Sequence, residues 1–235
     1  NSTVTYSVGG LILSNSGAVT ANYWLSEIYD EEIAEAHRNA DIHIHDLSML
    51  TGYCAGWSLK QLIQEGLGGI SGKITSAPAA HLSVLCNQMV NFLGIMQNEW
   101  AGAQAFSSFD TYLAPFVKVD NLTYREVKKC IEAFIYGVNT PSRWGTQAPF
   151  SNITLDWTVP ADLAELPAIV GGKEMDFKYK DCKKEMDMVN RAFLEIMIEG
   201  DANGRGFQYP IPTYSITRDF DWSDTENNRL LFEMT

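Results

Sequence analysis

Two histidines and a cysteine lie close together near the start of the chain, and they have the clearest capacity for chemistry. His43 and His45 stand in the segment Asp41-Ile-His-Ile-His-Asp46, and Cys54 follows in Gly52-Tyr-Cys-Ala-Gly56. Because side chains alternate along an extended strand, the two imidazoles are predicted on one face of it. An imidazole transfers protons near neutral pH and a thiol supplies hydrogen, so the pattern favours proton-coupled thiol chemistry. A buried strand with a structural cysteine explains the same residues equally well.

The other three cysteines have a simpler interpretation. Cys86, Cys130 and Cys182 each lie on an apolar helical stripe, which predicts small, buried hydrophobic side chains. Four cysteines in 235 residues do not form a disulfide framework, so a reducing, cytoplasmic compartment is expected.

The histidine pair also permits a metal site. In metal-dependent barrel hydrolases a His-x-His pair on the first strand supplies two ligands, but such a site needs further ligands from later strands. His81 is the last histidine of the chain and is predicted at the start of a helix. A metal-dependent hydrolase therefore stays an alternative, and no metal ligand is expected within this chain.

The sequence contains neither of the two common phosphate-binding patterns, G-x-x-x-x-G-K-[ST] and G-x-G-x-x-G. The loop 140–147 offers polar donors and Arg143, which could contact a phosphate or a ribose. An ordinary loop of a barrel explains this segment more simply.

Composition and charge limit the class of protein. Hydrophobic content of 46% and charged content of 20% are typical of a globular domain. A formal net charge of −12 argues against nucleic acid or an anionic membrane as a partner. No apolar run is long enough for a bilayer span, and no signal peptide is recognisable. The chain starts without methionine and stops within an apolar helical pattern, so we expect a segment of a longer polypeptide.

The remaining pattern predicts strands that alternate with helices. Helices are predicted over residues 20–39 with a break at Asp30, 58–67 with a glycine stop at 68–69, 79–100, 106–117, 123–138 behind a capping box, and 178–199. Strands are predicted at the histidines, at Cys54, and over 149–155 and 207–217, with a loop over 160–173. Crossovers of this length point to parallel pairing in an α/β barrel or a doubly wound sheet.

Eight stretches of the chain, in order, closely resemble the catalytic subunits of class III, anaerobic ribonucleoside-triphosphate reductases. They are residues 1–7 (NSTVTYS), 32–37 (EIAEAH), 41–47 (DIHIHDL), 53–57 (YCAGW), 101–107 (AGAQAFS), 109–116 (FDTYLAPF), 147–154 (QAPFSNIT) and 207–213 (FQYPIPT). The resemblance runs almost from end to end, and the ordered set is more specific than any single stretch.

The resemblance implies a ten-stranded α/β barrel of the glycyl-radical enzyme type, with residues 1–235 as one region that forms its first part. It implies anaerobic reduction of ribonucleoside triphosphates to deoxyribonucleoside triphosphates for DNA replication, through thiyl and glycyl radicals and with formate as reductant. A radical-SAM iron–sulfur activating enzyme would install the glycyl radical. The thiyl cysteine, the glycyl site, a structural zinc and an N-terminal ATP-binding regulatory domain are expected outside this chain, which alone would be inactive.

The resemblance also assigns residues. Cys54 matches a second pocket cysteine that assists reduction, and His43 and His45 match a histidine pair near the formate site. For the substrate, the residues implied are Ser151, Asn152 and Tyr209. The length of helix 79–100 and its apolar residues beyond the core stripe, Leu85 among them, predict that it forms a homodimer interface together with helix 106–117. The resemblance implies that ATP or deoxynucleotide effectors bind near these helices, with Gln88 and Gln104 as the contacts.

Two further alternatives remain open at this point. One is a different glycyl-radical enzyme, of the formate-lyase type, whose adjacent active-loop cysteines would lie outside this chain. The other is a catalytically inactive regulatory or assembly module.

Overall fold

The computed structural model describes residues 7–68, 72, 74–142 and 147–235, and all structural statements refer to these. The helices are α1 (Val8–Tyr23), α2 (Glu31–Arg38), α3 (Leu59–Glu65), α4 (Leu82–Met96), α5 (Phe109–Val119), α6 (Tyr124–Asn139), α7 (Ala161–Ala164), α8 (Lys183–Glu199) and α9 (Glu226–Met234). The strands are β1 (Ala55–Trp57), β2 (Gln104–Phe106), β3 (Ser151–Leu155), β4 (Pro167–Val170), β5 (Lys173–Lys178) and β6 (Ile211–Tyr214).

The N-terminal helices begin earlier than the sequence pattern predicted. The Ser7 hydroxyl accepts a hydrogen bond from the Gly10 amide and caps α1, which continues into a π-helical turn, Trp24–Ile28. The predicted break is confirmed, because Asp30 is the N-cap of α2. The matching stretch at residues 1–6 lies outside the described part of the chain.

The predicted histidine strand is wrong. Residues 41–46 form bends and turns, and the backbone is left-handed at Ala40 (φ 64°) and Asp46 (φ 53°). A left-handed residue reverses the chain and cannot continue an extended strand. The two imidazoles nevertheless meet, through a turn instead of through strand alternation.

The predicted parallel α/β architecture is confirmed. Four strands form a parallel sheet in the order β1-β2-β3-β6. The register aligns Ala55 with Gln104, Gln104 with Ser151, and Asn152 with Ile211. Helices form the crossovers between successive strands, as parallel pairing requires. Closure into a ten-stranded barrel stays a prediction.

Three local predictions need correction. Strand β2 lies where no strand is predicted, because three residues are too few to show a period, and the helix predicted from residue 106 begins at Phe109. The predicted loop over 160–173 contains α7 and β4, and β4 pairs with β5 in an antiparallel hairpin. Helix α3 ends with Gly66 as its C-cap, ahead of the predicted stop. The capping box is confirmed, since Thr123 and Glu126 exchange hydrogen bonds at the start of α6.

The core lies between the sheet and the helices. Phe106 on β2 and Ile153 on β3 are fully buried against α5, whose residues 109–117 are all buried. Each fully buried phenylalanine contributes roughly 1.5–3 kcal/mol relative to an exposed one. Helices α4, α6 and α8 pack outside α5 and around it.

The burial of α5 corrects the predicted pair of interface helices. A helix whose residues 109–117 are buried within its own chain has no face left for a partner subunit. Leu85, also predicted on the free surface, is fully buried. Only α4 keeps an open apolar face, with Val84 40% and Ile95 55% exposed, so the homodimer stays a prediction for that helix alone.

Candidate active site

Cys54 immediately precedes β1, at the end of the sheet where the strands begin. Its Sγ accepts a hydrogen bond from the Ala103 amide at 3.3 Å, and its side chain is exposed. The backbones on either side are joined, since the Ala55 amide donates to Ala103 at 3.0 Å and the Gly102 amide to Tyr53 at 2.5 Å. The thiol is therefore fixed on two neighbouring segments of backbone.

The close approach of these two segments requires glycine at two positions. A Cβ atom on Gly102 would lie 2.7 Å from the Cys54 Sγ and 2.9 Å from the Tyr53 carbonyl oxygen. A Cβ atom on Gly52 would overlap the ring of Trp100. Real Cβ atoms do not approach their neighbours so closely, so any larger residue at 102 would displace the sulfur or the Tyr53 carbonyl.

A concave pocket of about 360 Å³ opens on the Cys54 face of the sheet. Its lining consists of Cys54, Ala55, Gly56, Ala103, Ala105, Phe150, Asn152 and Ile211. The strand register explains this set, because alternate positions on β1, β2 and β3 share one face. Two functional groups enter an otherwise apolar surface, the Cys54 thiol and the Asn152 amide, and the latter donates to Thr213 Oγ1 at 3.1 Å. Such a pocket suits a ligand held by a few polar contacts.

The two predicted histidines lie beside the residue that precedes Cys54. Nε2 of His43 is 3.2 Å from Nδ1 of His45, and the His45 ring meets the Tyr53 ring edge-on at 6.2 Å between centroids. A third imidazole, His37 of α2, lies 5.8 Å from the His43 ring and accepts from the Ile44 amide. Sequence reasoning missed His37, although it stands in one of the stretches that carry the family resemblance.

Asp46 completes this histidine cluster, which we define as His37, His43, His45, Asp46 and Tyr53. Its Oδ2 is 3.5 Å from Nε2 of His45. The negative charge of Asp46, together with partial burial, the neighbouring Cys54 and a hydrogen bond to Asp46, raises the pKa of Tyr53 above its usual range. The cluster thus joins the histidine turn to the segment that bears the thiol.

Of the predicted substrate residues, Asn152 lies on the pocket face and Ser151 on the opposite face of β3. Ser151 is fully buried, and its Oγ has no hydrogen-bond partner among the described residues. The ring of Tyr209 packs 5.6 Å from that of Phe150, which lines the pocket. Asn139 fixes the Tyr209 backbone, donating to its carbonyl at 2.6 Å and accepting from its amide at 3.0 Å. These substrate roles stay predictions.

The two predicted effector contacts lie in different parts of the fold. Gln88 of α4 is buried and donates to Ser76 Oγ and to the Ala77 carbonyl, both at 2.8 Å. Gln104 of β2 is buried on the helix side of the sheet and accepts from the Trp57 indole at 2.6 Å. Both amides support local structure, and their effector role stays a prediction. Residues 143–146 of the polar loop lie outside the described residues.

A buried carboxylate that the sequence analysis did not single out anchors the helices behind the sheet. Asp110 accepts hydrogen bonds from the amides of Asp156 and Trp157 and from the side chain of Asn190, at 2.8–2.9 Å. Burial raises its pKa to about 6, against the opposing effect of these donors. It joins the first turn of α5 to the turn after β3 and to α8.

Across the described ranges, no three histidine, cysteine or acidic side chains are grouped so that they could hold a metal ion. Nor does any described helix combine the length and apolar character that a membrane span demands.

Known proteins resemble this chain in sequence and in fold. The family model for anaerobic ribonucleoside-triphosphate reductase matches residues 1–235. A solved anaerobic ribonucleotide reductase shares the fold with a TM-score of 0.75 at 22% identity, over 97% of this chain and 38% of that one. The Thermotoga maritima enzyme with glycerol in the active site gives 0.75 at 22% identity, over 97% and 40% of the two chains.

A second Thermotoga maritima structure, in complex with dATP and CTP, gives a TM-score of 0.64 at 22% identity, over 80% of this chain and 35% of that one. The chain thus spans well under half the length of these solved structures. No curated protein sequence matches it significantly. The match of the family model along the whole chain shows that it belongs to the anaerobic ribonucleoside-triphosphate reductase family.

Proposed function

We propose that this chain forms the first part of the catalytic barrel of an anaerobic ribonucleoside-triphosphate reductase and supplies the thiol that completes reduction of the ribose. One observation carries the proposal: the Cys54 sulfur is fixed by the Ala103 amide in a pocket that also contains the Asn152 amide. A thiol at that position can give hydrogen to a substrate carbon, and a neighbouring amide can hold a hydroxyl group.

The chemistry assigns separate tasks to the side chains of the site. Replacing a ribose 2′-hydroxyl by hydrogen requires loss of water and the supply of two electrons and two protons in total. Cys54 supplies the hydrogen, and His43 and His45 accept and return protons at neutral pH. The radical that first activates the ribose is supplied by a thiyl and a glycyl residue outside this chain, the latter formed by a radical-SAM activating enzyme. Formate is the terminal reductant.

The substrate is a ribonucleoside triphosphate whose ribose enters the pocket. The pocket volume of about 360 Å³ and its apolar walls suit a sugar ring held by Asn152 and bordered by the Phe150 and Tyr209 rings. Water is excluded when the remaining barrel covers this face, which protects a reactive intermediate. A structural zinc site also lies outside the chain.

Regulation and assembly follow from the same assignment. A similar Thermotoga maritima structure contains dATP in the specificity site, which supports ATP and deoxynucleotides as effectors. The open apolar face of α4, with Val84 and Ile95, forms the homodimer contact, and the enzyme is cytoplasmic.

The proposal is tested in the reductase assembled from this chain and the segments that bear the thiyl and glycyl residues, under strict exclusion of oxygen. We expect CTP to be reduced to dCTP, with formate consumed in equal amount. Product formed without formate would show that another reductant supplies the electrons. Acyl transfer from pyruvate to coenzyme A without dCTP formation would favour the formate-lyase type, and complete inactivity would favour a regulatory module.

A further inference from the structure

The carboxylate of Asp46 lies between an imidazole and a phenol, on a residue with unusual backbone geometry. Its φ of 53° is left-handed, which costs most side chains free energy but is tolerated by Asp and Asn. The conformation turns the carboxylate toward Nε2 of His45, at 3.5 Å, and toward the Tyr53 hydroxyl. Backbone strain of this kind persists where the surrounding structure holds it, often at functional sites.

The carboxylate determines which nitrogen of each imidazole carries its proton. A carboxylate only accepts, so it favours the proton of His45 on Nε2, the nitrogen that faces it. In that tautomer of His45, Nδ1 is the acceptor in its 3.2 Å contact with His43, and Nε2 of His43 is the donor. Nδ1 of His43 is left as the basic nitrogen at the far end of the line.

We propose that Asp46 is the positioning residue of the histidine pair, and that protons move between His43 and the Tyr53 side of the Cys54 pocket along the line His43–His45–Asp46. The proposal rests on the proposed function and deepens it. It adds Asp46 and Tyr53 to the site and gives proton transfer through the histidine pair a direction.

The transfer balances without any redox change. A proton binds Nδ1 of His43, the Nε2 proton of His43 passes to Nδ1 of His45, and the Nε2 proton of His45 passes to Asp46. The carboxylic acid formed at Asp46 lies against the Tyr53 hydroxyl, beside the thiol segment. One proton has moved along the line, no electron has moved, and the reverse sequence restores the starting state.

Several titratable groups surround the pair. His37 approaches from α2, Asp46 belongs to the same turn, and Tyr53 and Cys54 approach from the segment before β1. A phenol keeps its proton at neutral pH, and the charge of Asp46 raises the pKa of Tyr53 further. The Tyr53 hydroxyl therefore donates to the Asp46 carboxylate, as proton transfer along His43–His45–Asp46 requires.

The test is Asp46→Asn in the assembled reductase. Asparagine tolerates the left-handed backbone and can still accept from Tyr53, but its amide cannot take up a proton. We expect kcat to fall about tenfold or more, a part of the roughly 100-fold or larger effect of general acid–base catalysis. The pH profile of kcat should shift, while the KM for the ribonucleotide and the glycyl-radical content measured by electron paramagnetic resonance stay unchanged.

Two variants provide the comparison. Asp41→Asn removes the same charge from the same turn and should leave the rate and its pH profile unchanged. Asp46→Glu restores a carboxylate and should recover part of the activity. A kcat within twofold of wild type with an unaltered pH profile in Asp46→Asn would overturn the proposal. So would a parallel loss of radical content or of substrate affinity, because that result marks a structural role.

The closing control separates this inference from the proposed function. Cys54→Ala is assayed beside Asp46→Asn under the same conditions. An inactive Cys54 variant with a fully active Asp46 variant refutes only the role of Asp46. An active Cys54 variant refutes the proposed function itself.

Discussion

The Sγ of Cys54 lies 3.3 Å from the backbone nitrogen of Ala103, and this contact orients the thiol at the wall of the pocket. The Ala103 amide, just before β2, donates to the sulfur, while the Cys54 side chain remains exposed on the pocket side. A sulfur held by backbone keeps its place when surrounding side chains change, which suits a group that must meet a substrate carbon.

Gly102→Ala should disturb this relationship directly. The added Cβ would lie 2.7 Å from the sulfur and 2.9 Å from the Tyr53 carbonyl, so one of the two must move. Overpacking of this kind costs about 1–3 kcal/mol, which thermal unfolding measures. We expect deoxynucleotide formation to fall sharply in a protein that still folds. Gly206→Ala is the matched control, since its Cβ would meet no atom within 4 Å. Equal activity in the two variants would contradict the account.

The four thiols should differ strongly in their reaction with iodoacetamide. The thiolate is the reactive form, and burial raises the pKa of Cys182 to about 12 and that of Cys86 above its usual range. Burial also raises the pKa of the half-buried Cys130. Cys54 is exposed and should be alkylated first at pH 8, with Cys86 and Cys182 protected until the protein unfolds. Peptide mass spectrometry over time measures the order. Rapid labelling of Cys86 in the folded protein would refute this packing.

Asp110→Asn should destabilise the fold near neutral pH. Four donors point at this carboxylate, and an amide cannot accept from all of them. The loss of satisfied hydrogen bonds costs about 1–3 kcal/mol, measured by urea unfolding at pH 7. Asp176→Asn, an exposed charge removal on β5, is the control and should change stability little.

The Asp110 carboxyl should also contribute to the pH dependence of stability. Burial raises its folded pKa from 3.8 to about 6, so protonation is favoured in the folded state. Its contribution is full below about pH 3.8 and is lost as the pH rises through about 6. The Asp110→Asn variant should lack this pH-dependent component of the unfolding free energy. An identical pH slope in wild type and Asp110→Asn would show that the raised pKa is wrong.

The sequence predicted the parallel α/β architecture because helical periodicity and turn chemistry are local. The capping box at Thr123 and the break at Asp30 could both be read from a few residues. Strand β2 could not, because its three residues are defined by pairing with β1 and β3 and not by any pattern of their own. Burial of α5 on all sides likewise depends on elements distant in sequence.

The candidate site was predictable only in part. Cys54 was singled out because it stands outside any helical stripe, and the structure gives it an exposed position in a pocket. The histidines meet for a reason the sequence hides, two left-handed residues that replace the expected strand by a turn. No sequence pattern indicated a role for Asp46 or Tyr53, since their contacts arise from that turn.

The central claim is that Cys54 is the reducing thiol, and one comparison tests it most directly. In the assembled reductase, Cys54→Ala and Cys130→Ala are each assayed for deoxynucleotide formed per glycyl radical. Cys54→Ala should show normal radical content and substrate binding but no product, because the final hydrogen has no donor. Cys130→Ala should lose only packing, roughly 1–2 kcal/mol for a small side chain, and keep its turnover. Product formation by the Cys54 variant at near wild-type rate would contradict the account.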